Sequence, residues 1–306
     1  LSFFVWSGPA TALIVGSSTE EILWFSLLFL FGLVVGSFLN VCIYRLPLNK
    51  SVVTPPSSCP HCGGFIRWYD NIPLLSYLIL GGKCRVCKSP ISIRYPLVEA
   101  FTGFLFGFFF CEFVLRGGQP VSVYLAYVAL SSALIVSSFI DLEFYVIPNE
   151  ITVWGTALGP IYSLLFPSLH PSADPLRGLT LVCNERLNAV MASLLGILAG
   201  GGLVLLTALL GSLALRKEAM GMGDVKLMAM VGGVVGWKLS VMVYFLAPFF
   251  ALAGSVPLLR SGEGRKLPYG PFLSMATLVA LLLQGPFIRF FDSRLFILSE
   301  VVKGNF

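Results

Sequence analysis

The sequence predicts an all-α polytopic membrane protein of about eight transmembrane helices, with a small cytoplasmic zinc-binding domain between the first and second helices. Only 11% of the 306 residues are charged and 57% are hydrophobic, whereas soluble domains carry about 25% charged residues. Apolar runs near the ~20 residues of a spanning helix recur along most of the chain. The long interruption at 45–96 is polar, rich in Pro and Gly, and holds two CxxC pairs. The net charge of +5 is gathered in clusters, which in a membrane protein mark the cytoplasmic side rather than nucleic-acid binding.

Residues 1–20 contain Trp6 and Pro9 but no basic run, so no signal peptide is expected there. The first predicted span is 22–44, ended by Arg45 and Pro47. Residues 45–96 carry seven basic residues (Arg45, Lys50, Arg67, Lys83, Arg85, Lys88 and Arg94) against the single acid Asp70, which places the segment in the cytoplasm. Further spans are predicted at 97–115, 121–140, 150–167, 187–214, 226–237, 239–259 and 268–285. With the N-terminus outside, the segments 45–96, 141–149, 215–225 and 260–267 fall inside. Arg216, Lys217, Arg260, Arg265 and Lys266 fit that orientation, and 141–149 carries Asp141 and Glu143 instead. The tail 286–306 mixes Phe287, Phe290 and Phe291 with Arg289 and Arg294, which suits an interfacial helix. Three domains are expected: 1–44 with the first helix, 45–96 as the zinc domain, and 97–306 as the membrane core.

Cys59-Pro60-His61-Cys62 and Cys84-Arg85-Val86-Cys87 are separated by 21 residues, just beyond the usual zinc-ribbon spacing. A tight CxxC turn aims two thiolates at one ion, and two such turns complete a tetrahedral shell. Gly63, Gly64, Gly81 and Gly82 flank the pairs and suit turns that need positive φ. A reducing cytosol favours structural Zn²⁺; disulfides or free thiols are the other reading. Cys42 and Cys111 read as small apolar residues, and Cys183 as a lone thiol.

Asp70, Asp174 and Asp292 lie in polar segments, where a solvated role is expected. Asp141 follows the apolar run 133–140 and Asp224 precedes the run 227–235, so both fall at the cytoplasmic edge. Each alone reads equally as a helix-end acid in interfacial water. Two at one depth, one of them set behind Gly221 and Gly223, point to a catalytic dyad. Two close carboxylates share one proton: the ionised one activates water, and the protonated one hydrogen-bonds the scissile carbonyl. Gly221 and Gly223 leave clearance for an extended substrate. Lys226 is expected to snorkel to headgroups, and Glu143, two residues past Asp141, is a weaker dyad candidate.

These residues together resemble the type IV prepilin peptidase family of GxGD intramembrane aspartyl proteases. Gly36-Ser37-Phe38-Leu39-Asn40-Val41 with Tyr44-Arg45-Leu46-Pro47 looks like its N-terminal signature. The paired cysteines, Asn71-Ile72-Pro73 and Arg94-Tyr95-Pro96-Leu97-Val98-Glu99 look like its zinc domain. Ile140-Asp141-Leu142 with Ile147-Pro148-Asn149, the stretch Gly221 to Leu227, and Pro268-Tyr269-Gly270-Pro271-Phe272 match later blocks. Ala219 departs from the glycine expected there. The resemblance implies cleavage of prepilins or type II secretion pseudopilins after Gly and before Phe, on the cytoplasmic face of the bacterial inner membrane. It also implies N-methylation of the new Phe amine with S-adenosylmethionine, for which the sequence identifies no residues. The basic excess of the zinc domain would repel a basic leader, so Lys83, Arg85 and Lys88 are expected to face anionic membrane lipids. A multi-pass transporter or scaffold with a cytosolic zinc module is the alternative from another class. It would need polar residues along a mid-bilayer path, of which Glu99 and Glu112 are the main acids. An archaeal-type preflagellin peptidase is the third reading, opposed by the zinc domain and the N-terminal signature.

Overall fold

A computed structural model describes residues 18–171, 184–217, 220–261 and 267–285. Asp174, Cys183, Ala219, Arg265, Lys266, Asp292 and the expected interfacial tail lie outside the described residues. The described residues form helices and no named strand, as a chain surrounded by hydrocarbon requires when every backbone donor must be satisfied internally. They fall into two compact units divided at Pro148/Asn149.

The first unit contains α1 (Thr19–Arg45), the short α2 (Leu75–Ile79), α3 (Arg94–Phe109) with its π-helical continuation Phe110–Arg116, and α4 (Val121–Phe144). Ser18 caps α1, its hydroxyl accepting from the Glu21 N–H. Helices α1 and α3 meet almost backbone to backbone. A Cβ added to Gly36 would lie 2.7 Å from Glu99 Cα, and one on Gly103 would lie 2.9 Å from the Phe29 carbonyl oxygen. Small residues serve this purpose where lipid supplies no hydrophobic drive between helices. At the far end of α3, Arg116 bridges Glu21 at 3.0 Å and Glu112 at 3.4 Å.

The second unit contains α5 (Asn149–Leu165), α6 (Glu185–Leu215), α7 (Met222–Val235), α8 (Trp237–Ser261) and α9 (Gly270–Gly285). The short α7 packs on α5, α6 and α8, and Leu227, Met228 and Val231 in it are fully buried. Its seam with α6 is the tightest in the unit: a Cβ on Gly196 would fall 2.0 Å from the Gly232 carbonyl oxygen.

Each of the eight expected segments is helical. Five are long and apolar enough to cross a membrane: Thr19–Leu48, Arg94–Arg116, Val121–Phe144, Glu185–Ala214 and Trp237–Ser255. At 14 residues, α7 rises only about 21 Å, short of a ~30 Å hydrocarbon core. Two boundaries matter for the chemistry. Helix α4 runs past residue 140 to Phe144 and α7 starts at Met222 rather than 226. Asp141 and Asp224, expected beside helices, therefore lie inside them.

The Gly196→Ala variant should lower stability by about 2 kcal/mol or more through overpacking. Gly202→Ala, at a position where an added Cβ meets nothing of the described residues within 4 Å, should be neutral or stabilise by up to about 1 kcal/mol. Thermal melts of the detergent-purified pair check this; equal melting temperatures would refute the seam.

Candidate active site and metal centre

Asp141 occupies the last turn of α4 and is 6% exposed. The helix ends because Tyr145 turns left-handed at φ 56°, its N–H closing on the Asp141 carbonyl at 2.9 Å. Glycine usually fills such a position, and a tyrosine there is strained. Glu143 is not a free rival of Asp141, because its carboxylate pairs with Arg94.

Asp224 sits in the first turn of α7, 8% exposed, with its N–H bonded to the Gly221 carbonyl at 3.2 Å. Gly221 is the N-cap at φ −74° and ψ 145°, a backbone any residue can adopt. A Cβ there would lie 3.7 Å from Asp224 Oδ2 and 3.9 Å from the Gly223 nitrogen, with no other atom of the described residues within 4 Å. The glycine thus leaves open space beside the carboxylate rather than meeting a conformational demand. Gly223 is the second residue of α7 and half-buried. Lys226, expected to reach towards headgroups, instead donates from Nζ to Asn149 Oδ1 at 2.8 Å. That bond fastens the Asp224 helix to the start of α5. Tyr269, just before α9, lies near enough for the Asp224 carboxylate to disfavour its ionisation, a smaller effect than its burial. Sequence reading gave neither Asn149 nor Tyr269 a role, although both stand in the blocks it singled out.

The four predicted cysteines converge. The sulfurs of Cys59, Cys62, Cys84 and Cys87 all lie within 4.8 Å of one another, and Cys59 and Cys87 are 3.8 Å apart. Tetrahedral Zn–S bonds of ~2.3 Å require sulfurs ~3.8 Å apart, so the residues fit such an ion. The two turns are near copies. Gly63 N–H bonds Cys59 O at 2.9 Å and Cys59 N–H bonds Gly64 O at 2.9 Å; Lys88 N–H bonds Cys84 O at 3.0 Å and Cys84 N–H bonds Ser89 O at 2.9 Å. Gly63 takes the left-handed φ expected of it, at 69°, but its counterpart in the second turn is Lys88 at 59°. Hydrogen bonding to the Ser89 hydroxyl and N–H, with smaller contributions from the Cys84 and Cys62 thiols, holds the Cys87 thiol down at about 6, which favours the thiolate that metals bind.

Asp70, expected to be solvated, has a side chain only 9% exposed and accepts from Arg85 Nε at 2.8 Å and Nη2 at 2.6 Å. This bidentate pairing holds the Asp70 carboxyl below its ordinary range. Arg67 and Arg85 also lie over the Tyr69 ring, at 5.8 and 5.6 Å from its centroid. Much of the charge in the segment is therefore spent internally.

Residues 30–113 match the family described as the bacterial peptidase A24 N-terminal domain, and residues 128–256 match the type IV leader peptidase family. Among curated relatives, the prepilin leader peptidase/N-methyltransferase of Aeromonas hydrophila is 35% identical, over 85% of this chain and 91% of that protein. The protein of the same name from Pseudomonas aeruginosa is 35% identical, over 83% and 88%. That of Myxococcus xanthus is 40% identical over 77% of this chain, which spans 64% of that relative's length. No solved structure matches the chain.

The purified chain should carry one equivalent of zinc by elemental analysis, and Co²⁺ substitution should give the absorption bands of tetrahedral thiolate coordination. Cys84→Ser should lose the metal. Full retention of metal in that variant would refute a four-cysteine site.

Proposed function

Because the chain belongs to the type IV leader peptidase family, we propose that it is a membrane aspartic endopeptidase and N-methyltransferase acting on prepilins or type II secretion pseudopilins. It removes the short basic leader after Gly, on the cytoplasmic face of the inner membrane, and methylates the exposed Phe amine. The observation that carries this reading is the pair of buried carboxylates at opposite kinds of helix end. Asp224 stands among the unpaired N–H groups of a helix N-terminus, which favour negative charge, and Asp141 at a C-terminal end, which disfavours it. Asp224 is accordingly the ionised base and Asp141 the proton donor.

In the reaction, Asp224 takes a proton from water as its oxygen attacks the Gly carbonyl carbon, and Asp141 protonates the carbonyl oxygen. Collapse of the tetrahedral intermediate breaks the C–N bond, and the Phe nitrogen leaves with a proton from the dyad. The open space over Gly221 admits the extended substrate backbone to Asp224. S-adenosylmethionine, when bound, would supply the methyl group that the new Phe amine accepts.

Zinc held by the four cysteines is structural, since a full thiolate shell leaves no open position. The segment 45–96 acts as an accessory domain on 97–306, which forms the protease core with 1–44 as its leading segment. With Arg85 committed to Asp70, anionic lipid is met chiefly by Lys83 and Lys88.

Asp141→Asn and Asp224→Asn should each reduce cleavage of a purified prepilin by at least about a thousandfold, with zinc content and melting temperature retained. Activity near wild type in either variant would overturn the dyad. Gly221→Ser should leave stability unchanged or higher, serine being the better N-cap by a few tenths of a kcal/mol, yet lower kcat/KM at least about tenfold. Unchanged cleavage by that variant would remove clearance as the role of Gly221.

A further inference from the structure

Each buried aspartate is followed, two residues on, by a charged side chain that bonds the first residue of another helix. Glu143 follows Asp141, and its carboxylate accepts from Nη1 of Arg94, the first residue of α3. Lys226 follows Asp224, and its ammonium donates to Oδ1 of Asn149, the first residue of α5, at 2.8 Å. Each pair lies within one compact unit, so the arrangement occurs once in each. Helix stability does not account for the first pair. A carboxylate in the last turn of α4 and a guanidinium at the start of α3 each stand at the helix end whose dipole disfavours them. The two side chains are 51% and 20% exposed, and an ion pair so open to solvent adds little to folding. In the second pair Asn149 is exposed and Lys226 half-buried, where a hydrogen bond is likewise a small share of stability.

Helix geometry gives both pairs another use. Each residue turns the helix by about 100°, so a side chain two residues on leaves it about 200° away, on nearly the opposite side. A bond made there fixes the rotation of the helix end without occupying the side on which the aspartate stands. Burial follows the same division, with Asp141 6% and Asp224 8% exposed while Glu143 and Asn149 are exposed. Terminal turns need such fixing, because their last backbone groups lack intrahelical partners and the ends fray. The seam between α5 and α7 shows how the bond fits the packing. A Cβ on Gly155 would meet Met230, and one on Gly159 would lie 3.2 Å from the Gly233 carbonyl. Asn149 with Lys226 continues that register, and closes the seam at the end where Asp224 stands.

We propose that Glu143–Arg94 and Lys226–Asn149 are positioning pairs, which set the rotation of the helix ends carrying Asp141 and Asp224 for peptide cleavage. The inference rests on the aspartate-dyad reading above. None of the four side chains touches the reacting atoms, and the proton transfers remain those of the two aspartates. Arg94 and Glu143 also line a cavity of about 610 Å³ between α1, the cysteine segment and α3, with Asn40 and Glu99 in its wall. Cleavage without added S-adenosylmethionine is therefore the readout, so that methyl transfer does not enter it.

The test uses the full zinc-loaded chain in lipid nanodiscs with a purified prepilin, and separates kcat from KM. Glu143→Gln, Arg94→Met, Lys226→Met and Asn149→Leu should each lower kcat about tenfold with KM within about twofold, at wild-type melting temperature. Removing both partners of a pair should be no worse than removing one. Rescue separates positioning from chemistry. Glu143→Arg combined with Arg94→Glu rebuilds the ion pair, and Asn149→Asp keeps the acceptor for Lys226; both should cleave within about threefold of wild type. An inactive exchanged pair would make Glu143 a reacting acid, and normal cleavage by Asn149→Leu would leave Lys226 acting by charge alone; either result overturns the positioning role of that pair. So would wild-type kcat in the single variants, or losses of kcat that follow losses of melting temperature. Should a variant fail to fold, Glu143→Asp, which shortens the reach, and Asn149→Ala replace it, each expected to lower kcat at least about threefold. Retained cleavage in Asp141→Asn or Asp224→Asn would instead remove the dyad, and this inference with it.

Discussion

Hydrocarbon offers no hydrogen-bond partner, and the rest of this structure follows from that constraint. Backbone groups are closed into helices, and side-chain hydroxyls inside them turn back on their own helix. Thr102 bonds the Val98 carbonyl, Ser131 that of Tyr127, Ser163 that of Gly159 and Ser240 that of Gly236. Among the described residues, Ser137 is the buried hydroxyl left without a partner, and it stands one turn before Asp141. Several buried polar side chains lie instead near helix ends, where backbone N–H and C=O groups are free. Asp141 is in the last turn of α4, Asp224 in the first turn of α7, and Asn40 and Glu99 near the facing ends of α1 and α3.

A site at helix ends is only as precise as the packing that fixes those ends. Both units achieve this with glycines that bring backbones into contact, Gly36 against Glu99 and Gly196 against Gly232. Helix α7 shows what this permits. It is short for a bilayer, carries an acid in its first turn, and is covered on several sides by other helices. Burial by protein rather than lipid makes both features tolerable, because the partner helices supply groups that lipid lacks. Lys226 illustrates the point, its ammonium meeting Asn149 rather than a headgroup.

Features set by local pattern were legible in the sequence. The helical segments emerged from apolar run length and the cysteine cluster from two CxxC turns. What escaped were contacts between residues distant in sequence. The Arg85–Asp70 pair spans 15 residues, Leu74–Glu99 spans 25, Arg94–Glu143 spans 49 and Lys226–Asn149 spans 77. No periodicity encodes such pairs, so Asp70 looked solvated and Glu143 looked available. The left-handed Lys88 escaped for a different reason. Sequence reading assigns positive φ to glycine, whereas the second cysteine turn imposes it on a lysine through the same hydrogen bonds that Gly63 satisfies in the first. The helix ends were misplaced by up to four residues because polar residues such as Asp141 and Asp224 were read as helix stops, when buried backbone bonding carries the helix through them.

The N-terminal signature contains no acid, yet its geometry bears on several parts of the first unit. Gly36 lets α1 close on α3 at Glu99. That approach places Asn40 on the Tyr95 carbonyl and frees the Glu99 carboxylate to hold Leu74 of the cysteine segment. The same start of α3 presents Arg94, which takes Glu143 on the last turn of the Asp141 helix. One close helix contact therefore orients the cavity wall, the cysteine segment and the end of α4 together. A motif of small and polar residues can do this because a backbone-to-backbone contact fixes the two helices closely.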